Sequence, residues 1–217
     1  MRILLLAVLA LASLQPSSPP ADLPAAAAAQ LEKSIVAAAV VRAGHVWRDR
    51  PPINPDGSVN AFIEIRRGDR RKWELDMRAN RRIVDRVMPA ALGGYPVNYG
   101  LVPQTVSYDG DPFDALVIGP SLAGGTATTG IAVGIMHMED EKGLDSKVVL
   151  SPRRRDGSAR YELTDEDKAR IGRYFARYKE HEPGKFSKVT GWGSAGEGLA
   201  YVRQTHAFFS RARQKSN

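Results

Sequence analysis

Hydrophobic and polar positions along this chain alternate first with period two and later with a helical period, so strands precede helices. Residues 60–66 set Phe62, Glu64 and Arg66 on one face against Ala61, Ile63 and Ile65 on the other, and RKWELD at 71–76 alternates as well. Gly68-Asp69 between these runs predicts a hairpin turn. Residues 83–86 form a third short run, 113–118 reads as a strand, 128–138 is largely apolar and so predicts a buried strand, and 146–150 follows. Short strands at close spacing, broken by Gly and Pro turns, predict a closed or partly open barrel. The pattern then changes. Thr164 stands as an N-cap with Asp167 in the third helical position, and Ile171, Tyr174, Phe175 and Tyr178 follow at helical spacing. Residues 181–191 read as a loop. Leu199, Val202, His206 and Phe209 share one face of a second helix over 199–213. This order is an α+β plan with a mainly β core.

The N-terminal quarter reads differently. Residues 1–13, MRILLLAVLALAS, join one positive charge at Arg2 to an apolar run and small residues, the pattern of a secretory signal peptide, so export to a periplasm or the medium is expected. The apolar run is too short for a stable membrane span. Residues 14–44, rich in Pro, Ser and Ala at their start, predict a tether with a short helix over 30–41. Proline-rich residues 45–58, with a DG turn, predict an extended arm lying on the domain and anchored by Trp47. A folded domain over 45–217, arm included, is long enough for one sizeable core. The chain lacks cysteine, which removes disulfides, and its formal charge of +7 suits an anionic partner.

The densest chemistry is GYPVNYGLVPQTVSYDGDPFDALVIG, which puts Asp109, Asp111 and Asp114 within six residues beside a strand. Three anions this close repel one another by several kcal/mol unless solvated or neutralised by a cation. The pattern is not a calcium-loop helix pair, because Phe113 and Asp114 occupy positions that need an oxygen ligand and a glycine. A second acidic group, Glu139, Asp140, Glu141 and Asp145, follows the buried strand, where it can converge with the first at one mouth of a barrel. Oxygen ligands without cysteine select magnesium, with manganese possible, over zinc or copper. Lys72, Arg86, Lys147, Tyr178 and Lys179 are the types that grip phosphate. Gly-rich nucleotide loops are absent, and the glycines around Ser194 do not form a nucleophile elbow.

At DGDPFDA, residues 109–115, the chain resembles the family I soluble inorganic pyrophosphatases. The resemblance extends through IEI, KWELD, VDR, GYPVNYG, DEKGLDSK, YKEHEPGKF and VTGW, and the arm HVWRD with PPINPDGSVN is similar to a leading segment of eukaryotic-type members. It implies an OB-like closed five-stranded β-barrel with flanking helices that hydrolyses pyrophosphate using several magnesium ions. By the same resemblance Asp109, Asp114 and Asp145 hold the tightest metal, Asp140 and Asp145 take one arriving with substrate, and Glu64 helps hold a further one. Asp111 is implied as general base; Lys72, Arg86, Tyr99, Lys147, Tyr178 and Lys179 as phosphate ligands; Glu74, Tyr95 and Lys185 as supports. A homo-oligomer that binds no nucleic acid is expected. Two rival readings stay open here: a non-catalytic barrel that binds polyphosphate or nucleic acid, and a metal-dependent phosphatase of an organic diphosphate.

Overall fold

The computed structural model describes residues 18–215, so the stretch read as a signal peptide lies outside the described residues. Nine strands and three α-helices follow in the order α1 (Ala25–Ala39), β1 (Val59–Ile65), β2 (Arg71–Asp76), β3 (Arg81–Val87), β4 (Asn98–Leu101), β5 (Asp114–Val117), β6 (Ala127–Asp140), β7 (Gly143–Leu144), β8 (Lys147–Ser151), α2 (Asp165–Arg177), β9 (Ser187–Gly193) and α3 (Ala195–Lys215). Hydrogen bonding runs β1-β4-β5-β8-β6, and β6 returns to pair with β1, which closes a ring of five strands. Closure depends on a close approach at Gly100, where a Cβ would lie 1.9 Å from the Phe62 carbonyl oxygen. β5 and β8 are parallel and the other ring pairs antiparallel.

Alternate residues of the ring strands enter two different apolar clusters. Ala115, Val117, Val148 and Leu150 meet Tyr201, Val202 and Phe209 of α3, whereas Leu116, Ile118 and Val149 meet Ile171, Tyr174 and Phe175 of α2. These strands are therefore buried on both faces, which is why they read as continuous apolar runs. Trp47 is buried as an anchor: its Nε1 donates to the Thr105 carbonyl at 2.9 Å and its ring meets Phe209 edge-on at 5.0 Å. α2 starts as the sequence predicts, with Thr164 Oγ1 accepting from the Asp167 backbone N–H at 3.1 Å.

Three local expectations are corrected. The hairpin is β2–β3, not β1–β2; Gly68 and Asp69 instead bond the backbone of Tyr95, and β1, buried along its whole length, pairs with β4 and β6 in the ring. Lys72 and Glu74 therefore sit on a separate two-stranded ribbon rather than inside the barrel. The loop over 181–191 ends early, since β9 pairs with the far end of β6. The short helix expected over 30–41 is present as α1 but starts earlier, at Ala25, and its Ala27, Leu31 and Ala38 are buried. Alanine carries little periodic contrast, so the first turns of the helix are hidden in a run that reads as low complexity.

Candidate active site

The ring brings distant acids together at one of its ends. Because β5 and β8 are parallel with Ala115 opposite Val148, their first residues, Asp114 and Lys147, start side by side. Asp145 lies two residues before Lys147 and so shares its face. The Lys147 amine, 1% exposed, donates to Asp114 Oδ2 at 2.6 Å and Asp145 Oδ1 at 2.7 Å. Burial alone would lower its pKa, but the two carboxylates outweigh burial and hold it above the usual value. At the end of β6, Asp140 Oδ2 accepts from the Lys179 amine at 2.6 Å, and that amine also reaches both oxygens of Glu141 at 3.0 Å.

The turn from Asp109 to Asp111 is held by its own backbone: Asp111 N–H donates to Asp109 Oδ1 at 3.0 Å, and Gly110 between them has φ +93°. The Lys142 amine lies 3.4 Å from Asp111 Oδ2 and 3.9 Å from Asp109 Oδ2. Across the cleft, the ribbon presents Lys72, 2.5 Å from Glu74 Oε1 and 3.4 Å from Asp85 Oδ2, and Arg86, 2.8 Å from Asp85 Oδ2 and 2.9 Å from Glu182 Oε1. Lys185 pairs with Glu182 at 2.6 Å. Between the two sides the cleft has a volume of about 440 Å³.

Every site residue singled out from the sequence lines this cleft except Glu139, which is exposed on β6, and the pair Tyr95 and Lys147. Tyr95 and Lys147 stand behind its wall, Lys147 through its aspartates and Tyr95 with its ring 5.6 Å from that of Tyr99. Burial pushes the Tyr99 and Tyr178 hydroxyls up, which keeps both phenols protonated. Sequence reasoning gave no role to Asp85, Lys142 or Glu182, although they lie in the runs VDR, DEKGLDSK and YKEHEPGKF. Gln30 and Ser34 of α1 also line the cleft, and no motif marks them.

The electrostatics show what the cleft attracts. Burial, then Asp111 and Asp145, push Asp109 up to about 7. Burial raises Asp145 to about 6 against the pull of Lys147. Glu64 is raised to about 8 by burial and by Asp114, although its Oε1 accepts from the Leu75 N–H at 2.7 Å. Carboxylates that resist ionisation because they are crowded and dry are the donors a hard divalent cation relieves. Among the described residues no three acidic or histidine side chains already enclose an ion-sized space; Lys142, Lys147 and Lys179 stand among the carboxylates as counter-charges. The donor set, all oxygen, fits magnesium or manganese chemistry.

Comparison with known proteins places this arrangement. The family model described as inorganic pyrophosphatase matches residues 61–210. An inorganic pyrophosphatase of Saccharolobus solfataricus is 38% identical over 157 residues, covering 69% of this chain and 90% of that one, and another of Aquifex pyrophilus is 36% identical over 166 residues, covering 73% and 93%. Among solved structures, the inorganic pyrophosphatase of Thermus thermophilus superposes with a TM-score of 0.69 at 33% identity over 77% of this chain and 99% of its own. That of Coxiella burnetii gives 0.68 at 36% identity over 74% and 99%. With a closed ring, an acid-lined cleft and a family match over most of its length, the chain belongs to the inorganic pyrophosphatases, family I.

Proposed function

We propose that this chain hydrolyses inorganic pyrophosphate to two orthophosphates, with divalent ions, magnesium foremost, held by Asp109, Asp114, Asp140, Asp145 and Glu64. Family I enzymes are metal-dependent. The observation that carries the reading is the facing of two chemistries across one cleft: oxygen donors at the ring's end, and Lys72, Arg86 and Lys185 with their acidic partners opposite. Bound ions supply charge neutralisation on the phosphates and acidify water. The chain's own groups do the rest. Lys72, Arg86 and Lys179 hold phosphate oxygens, and the protonated Tyr99 and Tyr178 donate hydrogen bonds to them. Asp111, with its side chain 54% exposed at the cleft, takes the proton of the attacking water as the new P–O bond forms and the bridging P–O bond breaks. Lys147 positions Asp114 and Asp145 rather than touching substrate, and Glu74, Tyr95 and Lys185 hold the walls.

A basic barrel that only binds polyanions gains nothing from buried carboxylates around its ligand, so catalysis is the better reading. The test is phosphate release from pyrophosphate with magnesium, with manganese and without either, beside a panel of organic diphosphates. Metal-dependent release from pyrophosphate is expected; none, or faster release from an organic diphosphate, overturns the reading. Asp111→Asn should lower kcat by about 10²–10⁴-fold with an unchanged melting temperature. Export, which rests on residues 1–13, is tested by fractionating cells that express the full chain. Homo-oligomer formation is tested by sedimentation. Among the described residues no helix is long and apolar enough to cross a membrane.

A further inference from the structure

The segment from Pro20 through α1 precedes the family match, which begins at residue 61, yet it touches the aspartate turn at two independent points. Tyr108, next to Asp109, donates its hydroxyl to the Pro20 carbonyl at 2.8 Å, and its ring is held edge-on by Phe208 at 5.7 Å. At Gly110, between Asp109 and Asp111, a Cβ would stand 2.7 Å from Gln30 Cβ and 3.1 Å from Ala27 Cα, so α1 lies directly on the turn. From there Gln30 and Ser34 continue as part of the cleft wall.

The helix is seated firmly enough to act as a brace. Ala27, Leu31 and Ala38 are each no more than 2% exposed, and the C-terminal carbonyls at Ala38 and Val41 both accept from Arg48 Nη1 at 2.7 Å. Gln204 Nε2 donates to the Ala21 carbonyl at 3.0 Å, which ties the start of the segment to α3. The turn's own hydrogen bonds, Ser107 N–H to the Asp111 carbonyl and Gly110 N–H to the Ser107 carbonyl, set its shape, and the contact of α1 on Gly110 at φ +93° sets where that turn sits against the cleft.

We propose that the segment from Pro20 through α1 is a working wall of the active site, which positions the Asp109–Asp111 turn and so sets how tightly the cleft binds divalent ions. This rests on the reading of Asp109 as a metal ligand. Gln30 and Tyr108 are positioning residues: they hold the backbone on which the donors ride and donate nothing to the ion themselves. Misplacing donors through a supporting shell typically weakens metal affinity by about 10–100-fold.

The test is a calorimetric titration of magnesium into the full chain, which needs no turnover. Leu31→Glu, which unseats α1, should weaken magnesium binding about tenfold, the low end of supporting-shell losses. The double variant Gln30→Ala with Tyr108→Phe, which leaves the buried face of α1 intact, should weaken it by a smaller factor and answers the question if Leu31→Glu fails to fold. Gln30→Met keeps the methylenes on Gly110 and should restore wild-type affinity when combined with Tyr108. Unchanged affinity in the double variant overturns the proposal. Wild-type chain that binds magnesium but leaves pyrophosphate intact overturns the functional reading instead, and the titration still decides this one.

Discussion

The ring and the ribbon carry charges of the same kinds in opposite settings. Lys147, Asp145 and Asp114 start from ring strands whose Val148, Val149 and Leu150 are wholly buried, while the β2–β3 ribbon leaves Ile83, Val84 and Val87 of β3 42%, 44% and 57% exposed. Ring charges are held in a dry frame, where burial lifts Asp145 and the paired carboxylates lift Lys147; ribbon charges lie among neighbours that can rearrange. One side of the cleft is thus preorganised for metal, and the other is free to close on phosphate.

The largest effect should come from breaking the ring side. Lys147→Met leaves Asp114 and Asp145 buried without their cation, and a loss of about 3–5 kcal/mol in denaturant unfolding is expected, with pyrophosphate hydrolysis lost as well. A stability loss near that of an exposed pair would erase the contrast. Next is pH. Asp109, Asp145 and Glu64 have folded pKa values of about 7, 6 and 8, above their unfolded values, so the folded state holds protons that the unfolded state has released. Metal-free stability should therefore fall as pH rises from about 5 to 8, each group contributing at most about 1.4 kcal/mol per pH unit. His45, held below its usual pKa by burial, contributes the opposite slope, as do carboxylates held below their usual values such as Asp49, Glu141 and Glu182, whose contribution is complete by about pH 5, so the net fall belongs above that pH. Melting curves with and without magnesium check this, and magnesium should flatten the slope.

On the ribbon, Arg86→Lys should cost about tenfold in kcat/KM, the order of one charge-assisted hydrogen bond, while stability changes by less than about 1 kcal/mol. Steady-state kinetics beside unfolding curves separate the two; a large stability loss would place the ribbon with the ring. The smallest effect belongs to neither side. Thr164→Ala removes the α2 cap and should cost about 1 kcal/mol in thermal unfolding with turnover intact.

Much of the site was legible because its chemistry is local. Asp109, Asp111 and Asp114 stand in one loop, and Asp140, Asp145 and Lys147 in another, so residue type and spacing suffice to propose a hard-cation, phosphate-handling cleft. The roles of Lys142, Asp85 and Glu182 were not legible, since an exposed-looking charge acquires a partner only when loops meet. The β1–β2 hairpin was misread for a related reason: a Gly-Asp turn between two alternating runs is a good local signal, and the demand that β1 bury both faces overrode it.

Alternation, capping and acid spacing are properties of neighbours in the chain, and from them the sequence alone determined an α+β plan, the helix start at Thr164 and a cation-seeking aspartate cluster. What only the tertiary structure decided is which distant pieces share the cleft. The parallel pairing of β5 with β8 joins the two acidic loops, the ribbon is swung out to face them, and α1 is laid on Gly110. Each of these depends on burying apolar surface across long sequence separations, a condition that no local pattern contains.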